Sequence, residues 1–175
     1  TPILPKGEYK AAYEAQRARE REASSRGEQL AVKGLCSPYG MPTMMQVAVY
    51  PMEIIQTPRQ ITIIAEAFSE VRRIYIGKEQ LPIDDVAPGY YGRSVGRWDG
   101  DTLVIETTNF NGDSPMVIVG PSNEPIPTST SLKIVERLTP TGPDTIQYEA
   151  VVEDPEVITG PFKLSFPWTR DESYE

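Results

Sequence analysis

Glu66 and Glu106 are the residues of this chain best placed for acid–base chemistry. Each sits on a segment whose neighbours alternate with apolar residues. Burial on such a strand, or a nearby like charge, raises a carboxyl pKa towards a catalytic range. With Tyr91 beside them, these acids would suit a hydrolase or an isomerase. Glu70 and the pair Asp84-Asp85 are further carboxylates, but most acids of an acidic chain are surface charges. The rings of Tyr50, Tyr75, Tyr90, Tyr91, Trp98 and Trp168 can line a pocket for an apolar or aromatic ligand, although core packing is the commoner role of each ring. Arg72-Arg73 can clamp a carboxylate. A charged strand edge that discourages aggregation is the plainer reading of that pair. Asp99, Asp101 and Asp113, with Asn109 and Asn111 nearby, offer oxygens to calcium. No EF-hand spacing accompanies them, and Asp and Asn are favoured in turns on their own account.

What is missing narrows the chemistry further. The 175 residues contain no histidine. That excludes His-dependent triads, His-ligated zinc and the usual proton shuttle near neutral pH. The single cysteine, Cys36, has no internal disulfide partner. It also has no imidazole to activate it, so Ser37-Pro38-Tyr39-Gly40-Met41-Pro42 beside it reads as a structural turn. No cofactor, metal site or catalytic set is therefore assigned. The formal net charge of −8 argues against a nucleic-acid partner, because phosphate contacts need clustered Lys and Arg. No apolar run approaches the roughly 20 residues of a membrane-spanning helix. The chain begins at Thr1 and not at Met, as a processed, trimmed or partial chain would, and removal of an export signal would fit.

The elements that must position these side chains are mostly short strands. Residues 1–6 read as an extended arm, with Pro2 and Pro5. Residues 7–23 form the one convincing helix, rich in Ala, Glu, Arg and Gln. Its apolar face is thin, with Tyr9, Ala12, Tyr13 and Ala15, so it belongs on a surface. A weaker helical turn extends to Gly34. From Leu35 the spacing becomes that of strands: Val47–Tyr50, Met52–Gln56, Ile61–Phe68, Val71–Ile76, Tyr91–Trp98, Thr102–Asn109, Met116–Val119, Ser131–Leu138, Thr145–Val152 and Phe162–Phe166. Ser69-Glu70, Asp99-Gly100 and the longer Thr139–Asp144 segment are the expected hairpin turns. The 17 prolines and 13 glycines fit such a turn-rich chain. The expected fold is mainly β: an antiparallel meander closing into a lipocalin-like barrel, or alternatively a β-sandwich, with one N-terminal surface helix. Residues 1–35 would be arm and helix, and residues 36–175 a single β-barrel domain.

The hairpin at Arg93–Glu106 can be paired residue by residue. With Asp99 and Gly100 at the centre of the turn, Gly96 faces Leu103, Ser94 faces Ile105 and Arg93 faces Glu106. One face then carries Arg93, Val95, Arg97, Thr102, Val104 and Glu106. The other carries Gly92, Ser94, Gly96 and Trp98 with Leu103 and Ile105, small residues opposite large ones as on the inner side of a curved sheet. Burial of Leu103 and Ile105 against exposure of Val104 is the expected signature.

Several segments together resemble a widespread family of exported bacterial proteins. They are Cys36-x-Pro38-x-Gly40-Met41-Pro42-x-Met44-Met45, Pro51–Pro58, Val71-Arg72-Arg73-Ile74-Tyr75, Gly92-x-Ser94-Val95-Gly96-Arg97-Trp98-Asp99-Gly100-Asp101-Thr102-Leu103-Val104 and Val135-Glu136-Arg137. Their order and spacing match over about residues 36–155. The resemblance implies export, hence a secreted or periplasmic location, and a β-rich, calycin-like fold. It implies no particular reaction. Members of that family often carry His where this chain has Arg93 and Lys133, and continue past Asp171–Glu175 into a Cys-His-Glu stretch. The departures weigh against catalysis. The expected function is a non-catalytic module binding a small apolar ligand or a protein partner, with Tyr75, Tyr91, Arg93, Trp98, Glu66 and Glu106 as the candidate ligand-binding residues. The rivals are a structural subunit of a homo-oligomer or larger complex, docking through the arm, the helix or the Gly120–Thr130 loop, and the carboxylate- or tyrosine-dependent enzyme.

Overall fold

Alternation of apolar and polar residues dominates the chain beyond its first helix, and it folds accordingly. A computed structural model describes residues 5–28, 38–47, 50–117 and 125–173. Among the described residues the fold is mainly β, with one α-helix and one strongly curled eight-stranded sheet that makes a half-barrel. The helix α1 spans Gly7–Ser25. The strands are β1 (Met52–Gln56), β2 (Gln60–Ala65), β3 (Glu70–Ile76), β4 (Arg93–Asp99), β5 (Thr102–Thr108), β6 (Met116–Val117), β7 (Pro125–Ile126), β8 (Lys133–Gly142), β9 (Thr145–Glu153) and β10 (Phe162–Thr169). The sheet runs β1-β2-β3-β4-β5-β8-β9-β10, and β6 pairs with β7 apart from it. Cys36, the turn up to Gly34 and residues 120–124 of the Gly120–Thr130 loop lie outside the described residues. Val47 and Tyr50 belong to no strand.

The helix lies on the surface as its composition predicts. Tyr9 and Tyr13 are half-buried, Ala12 and Ala15 are exposed, and Ala23 is the residue that α1 buries fully. Tyr9 packs against the core. Charges hold the exposed face together, with Arg17–Glu20 at 2.7 Å and Arg26–Glu22 at 2.7 Å; such exposed helix pairs add only a few tenths of a kcal/mol each, about 0.3–0.5.

All sheet neighbours are antiparallel except β3 and β4, which run parallel with Ile74 beside Ser94 and Tyr75 beside Val95. The expected meander breaks here, and again where β6 and β7 pair apart from the main sheet. A parallel neighbour cannot be reached by a tight turn. The chain from Gly77 to Gly92 must therefore cross over the sheet before entering β4. Gln80 pins the crossover by donating to the backbone oxygens of Arg93 (3.1 Å) and Glu106 (3.0 Å). Asn109 holds its far end through Val86 O at 2.9 Å.

The hairpin β4–β5 keeps the expected faces but slides by two residues. Asp99 pairs with Thr102, Gly96 with Ile105, Ser94 with Thr107 and Arg93 with Thr108. The central residues are Gly100 and Asp101, and Gly100 alone of these takes a positive φ, 60°. That is the pattern of a II′ turn, with Gly first, where an Asp-Gly I′ turn would force Asp99 to positive φ. Arg93 therefore does not pair with Glu106, which bonds instead to Lys133 at 2.6 Å. Val104 is buried to 7% exposure, not exposed. Its register partners on either side are Arg97 and Arg137, whose stems flank it. The other turns also move. A 3-10 turn at Ala67–Ser69 closes β2–β3, with Glu70 already inside β3. The β8–β9 hairpin tightens until Gly142 pairs with Thr145, past a bulge between Pro140 and Gly142.

The core occupies one face of the sheet, here the inner face. Ile61, Ile63, Ile74, Leu103, Ile105, Ile134, Leu138, Tyr148, Ala150 and Val152 point into it, and Met41, Met44, Met45, Phe110, Met116 and Val157 close over them. Gly96 belongs there because a Cβ would come within 2.9 Å of Ile74 and Ile76.

Candidate ligand-binding cleft

The densest constellation of reactive side chains lies inside the molecule. The inner-face positions of β3, β4, β5, β8 and β9 bring together Arg72, Ser94, Thr107, Glu136 and Tyr148, all buried to 1% exposure or less. Arg72 forks onto Glu136 through both terminal nitrogens, with Nη1 to Oε1 at 2.9 Å and Nη2 to Oε2. Its Nε donates to Ser94 Oγ at 3.1 Å and its Nη2 also donates to Thr107 Oγ1 at 2.9 Å. Tyr148 OH donates to Glu136 Oε1 at 2.9 Å. Burial works against the charge on Arg72, and the adjoining carboxylate more than offsets it, leaving the guanidinium above its ordinary pKa. Burial pushes the Tyr148 phenol well up, and Glu136 adds to this. Sealed from solvent, the network holds five strands in register and offers no surface to a substrate. Arg72 does clamp a carboxylate, but that of its own chain.

Glu70, buried at the start of β3, forms a smaller polar junction. Tyr39 N donates to its Oε1, and its Oε2 has no partner among the described residues. Burial raises the Glu70 pKa above its ordinary value, against the Tyr39 hydrogen bond and the nearby Tyr91 hydroxyl. Burial likewise raises the Tyr91 phenol, with Glu70 adding to the shift.

The crossover creates a recess on the opposite, outer face of the sheet. This cleft of about 420 Å³ has one wall from β3, with Val71, Arg73 and Tyr75, and one from the crossover, with Leu81 and Val86. Tyr91, Gly92 and Arg93 close it where the chain re-enters the sheet. Gly92 is required there: its φ is 61°, and a Cβ would come within 2.4 Å of Thr108 O. Arg93 is held from behind. Its Nη1 donates to Glu79 O (3.0 Å) and to Gln80 Oε1 (3.1 Å), and its guanidinium carbon sits 5.2 Å from the Tyr75 ring centroid, within cation–π range.

Three of the six candidate residues, Tyr75, Tyr91 and Arg93, thus meet in one cleft. The other three do not join them. Glu106 lies in a separate, smaller recess of about 250 Å³ with Lys78, Val95, Arg97, Val104 and Val135. Glu66 is exposed before the β2–β3 turn, and Trp98, 46% exposed, lies near the tip of the β4–β5 hairpin. Neither acid shares a cleft with Tyr91, so the carboxylate–tyrosine set is not assembled. The calcium candidates are dispersed in turns: Asp99 pairs with Arg137 at 3.2 Å, Asn111 caps Asp113 N at 3.1 Å, and Asn109 serves Val86. Among the described residues no three His, Cys, Asp or Glu side chains group as metal ligands, and no helix is long and apolar enough to cross a membrane.

Glu136 and Tyr148 are not among the candidate residues that surface chemistry suggests. Their signal lies in the period of the strands: Ile134, Glu136 and Leu138 alternate on one face of β8, as Arg72 and Ile74 do on β3, so an acid and a base stand at inward positions. Comparison of the chain with family models, with curated proteins and with solved structures finds no match.

Proposed function

We propose that this protein is an exported, non-catalytic half-barrel module that binds a small apolar ligand in the outer cleft. One observation carries the reading. Val71 (36% exposed), Tyr75 (36%) and Leu81 (47%) are three of the large apolar side chains that the fold leaves in solvent, and all three line this one recess. Scattered singly, such residues need no explanation, but gathered about a concave site they favour ligand contact. A lipocalin-like module would hold its ligand inside the barrel. Here the inner face is filled by the methionines and the Arg72–Glu136 network, which leaves the outer cleft as the place for a ligand. Export rests on the resemblance over residues 36–155.

Titration with the neutral fluorophore N-phenyl-1-naphthylamine tests this reading. Enhanced, saturable emission is expected, with affinity at least about fivefold weaker in Leu81→Ser, which removes an apolar wall of the site. Saturable binding that Leu81→Ser leaves unchanged would place the site elsewhere.

A second reading, a protein partner or a second copy, is favoured by strand β1. It is an edge of the sheet, with Ile54 and Ile55 each 41% exposed and neither Lys nor Pro within Met52–Gln56 to blunt it.

A further inference from the structure

We infer that the outer cleft selects an organic anion: a compact apolar body ending in a carboxylate or a comparable acidic group. The inference rests on the cleft being a ligand site and concerns what that site prefers. The chain as a whole repels anions, with 25 Asp and Glu against 17 Lys and Arg. The lining inverts this balance. It includes the side chains of Arg73 and Arg93 and no carboxylate. Asp84 and Asp85, on the crossover, are exposed and lie outside the lining. Glu70, the buried acid nearest in sequence to this wall, faces inward, accepts Tyr39 N and lies outside the lining.

The two arginines differ in how they are held. Arg93 is fixed by Glu79 O, Gln80 and the Tyr75 ring, and only Nη1 of its guanidinium is engaged in those hydrogen bonds. The remaining N–H groups of a guanidinium form a planar fork that matches a carboxylate. A cation positioned before binding loses little side-chain entropy on engaging an anion. Arg73 is exposed and has no ion pair among the described residues, so it can swing onto the same head group. Arg72, next in the chain, adds no free charge because Glu136 neutralises it from within. Val71, Tyr75 and Leu81 then receive the apolar body.

Two probes with one ring system separate charge from greasiness. N-phenyl-1-naphthylamine is neutral, and 1-anilinonaphthalene-8-sulfonate carries one anionic group. Each is titrated by fluorescence into the wild type, Arg73→Gln, Arg93→Gln and Leu81→Ser, with folding of every variant checked by circular dichroism. The wild type is expected to bind the sulfonate about tenfold more tightly than the neutral probe, a ratio worth about 1.4 kcal/mol. That preference should shrink as salt rises. Arg73→Gln and Arg93→Gln should each weaken the sulfonate about three- to tenfold and weaken the neutral probe less, so that the ratio of the two affinities falls. Leu81→Ser should weaken both. Octanoate, but not octanol, should displace the sulfonate if a carboxylate serves as well as a sulfonate; displacement by neither limits the site to sulfonate-like anions and overturns the carboxylate assignment. Equal affinities for the two probes, untouched by the arginine variants but weakened by Leu81→Ser, would overturn the anion preference and leave the cleft a ligand site. Failure of both probes to bind, or binding of both insensitive to Leu81→Ser, would overturn the ligand reading with it. The exposed Arg73 keeps the test valid should Arg93→Gln fail to fold.

Discussion

Arg72 and Glu136 stabilise the protein only as a pair. Two charges at 1% exposure or less have lost nearly all their water, and their mutual attraction does little more than repay that loss. Removing one partner strands the other. Glu136→Leu is expected to lower the unfolding free energy by about 3–5 kcal/mol, read from the urea midpoint. Adding Arg72→Met should recover at least half of that loss, because the stranded cation goes with it. Equal, additive losses would show that the two residues act independently. Glu70 gives the opposite kind of test. Its folded pKa is raised by burial above the ordinary 4.5, so the native state binds its proton more tightly than the unfolded chain. Its contribution to stability is fully present below about pH 4.5 and is lost as pH rises through the raised folded value. Glu70→Gln carries no charge at any pH. The variant should therefore gain on the wild type as pH climbs through that window, and a constant difference between them would contradict the assignment.

At the scale of elements, local chemistry in the sequence specifies more than long-range pairing. The helix over 7–23 appears as Gly7–Ser25 and the strand at Met52–Gln56 with those bounds, because composition and alternation act within a few residues. The faces of the β4–β5 hairpin follow for the same reason. Its register does not: Gly100 can serve at either central position of a two-residue turn, and the observed pairing of Ser94 with Thr107 lets both hydroxyls reach Arg72, a long-range contact. The parallel β3–β4 pair was illegible too, since nothing local to Gly77–Gly92 distinguishes a crossover from a long hairpin loop. That crossover is what builds the cleft, so the fold class could be read while the site could not. Strand β1 carries the alternative function and has its own test. Light scattering over a wide concentration range should show a monomer if the ligand reading holds. A mass that rises with concentration, and returns to the monomer in Ile55→Lys, would favour association through the β1 edge instead.

For the whole molecule, the half-barrel divides its labour by face. The inner face is closed by methionines and tied together by one buried ion pair. The outer face carries the crossover and, beneath it, a recess with apolar walls and two arginines on an otherwise acidic protein. Tyr75, Tyr91 and Arg93 were identifiable as candidates by residue type; what gathered them was a topological irregularity, and what excluded Glu66 and Glu106 was their place on a turn and in a separate recess. The claim that function resides in the outer cleft is tested most directly by backbone amide NMR during titration with N-phenyl-1-naphthylamine. The account predicts saturable shifts confined to residues 71–75, 80–86 and 91–93. Shifts concentrated on β1, or on the inner face around Tyr148 and β10, with the cleft amides unmoved, would contradict it.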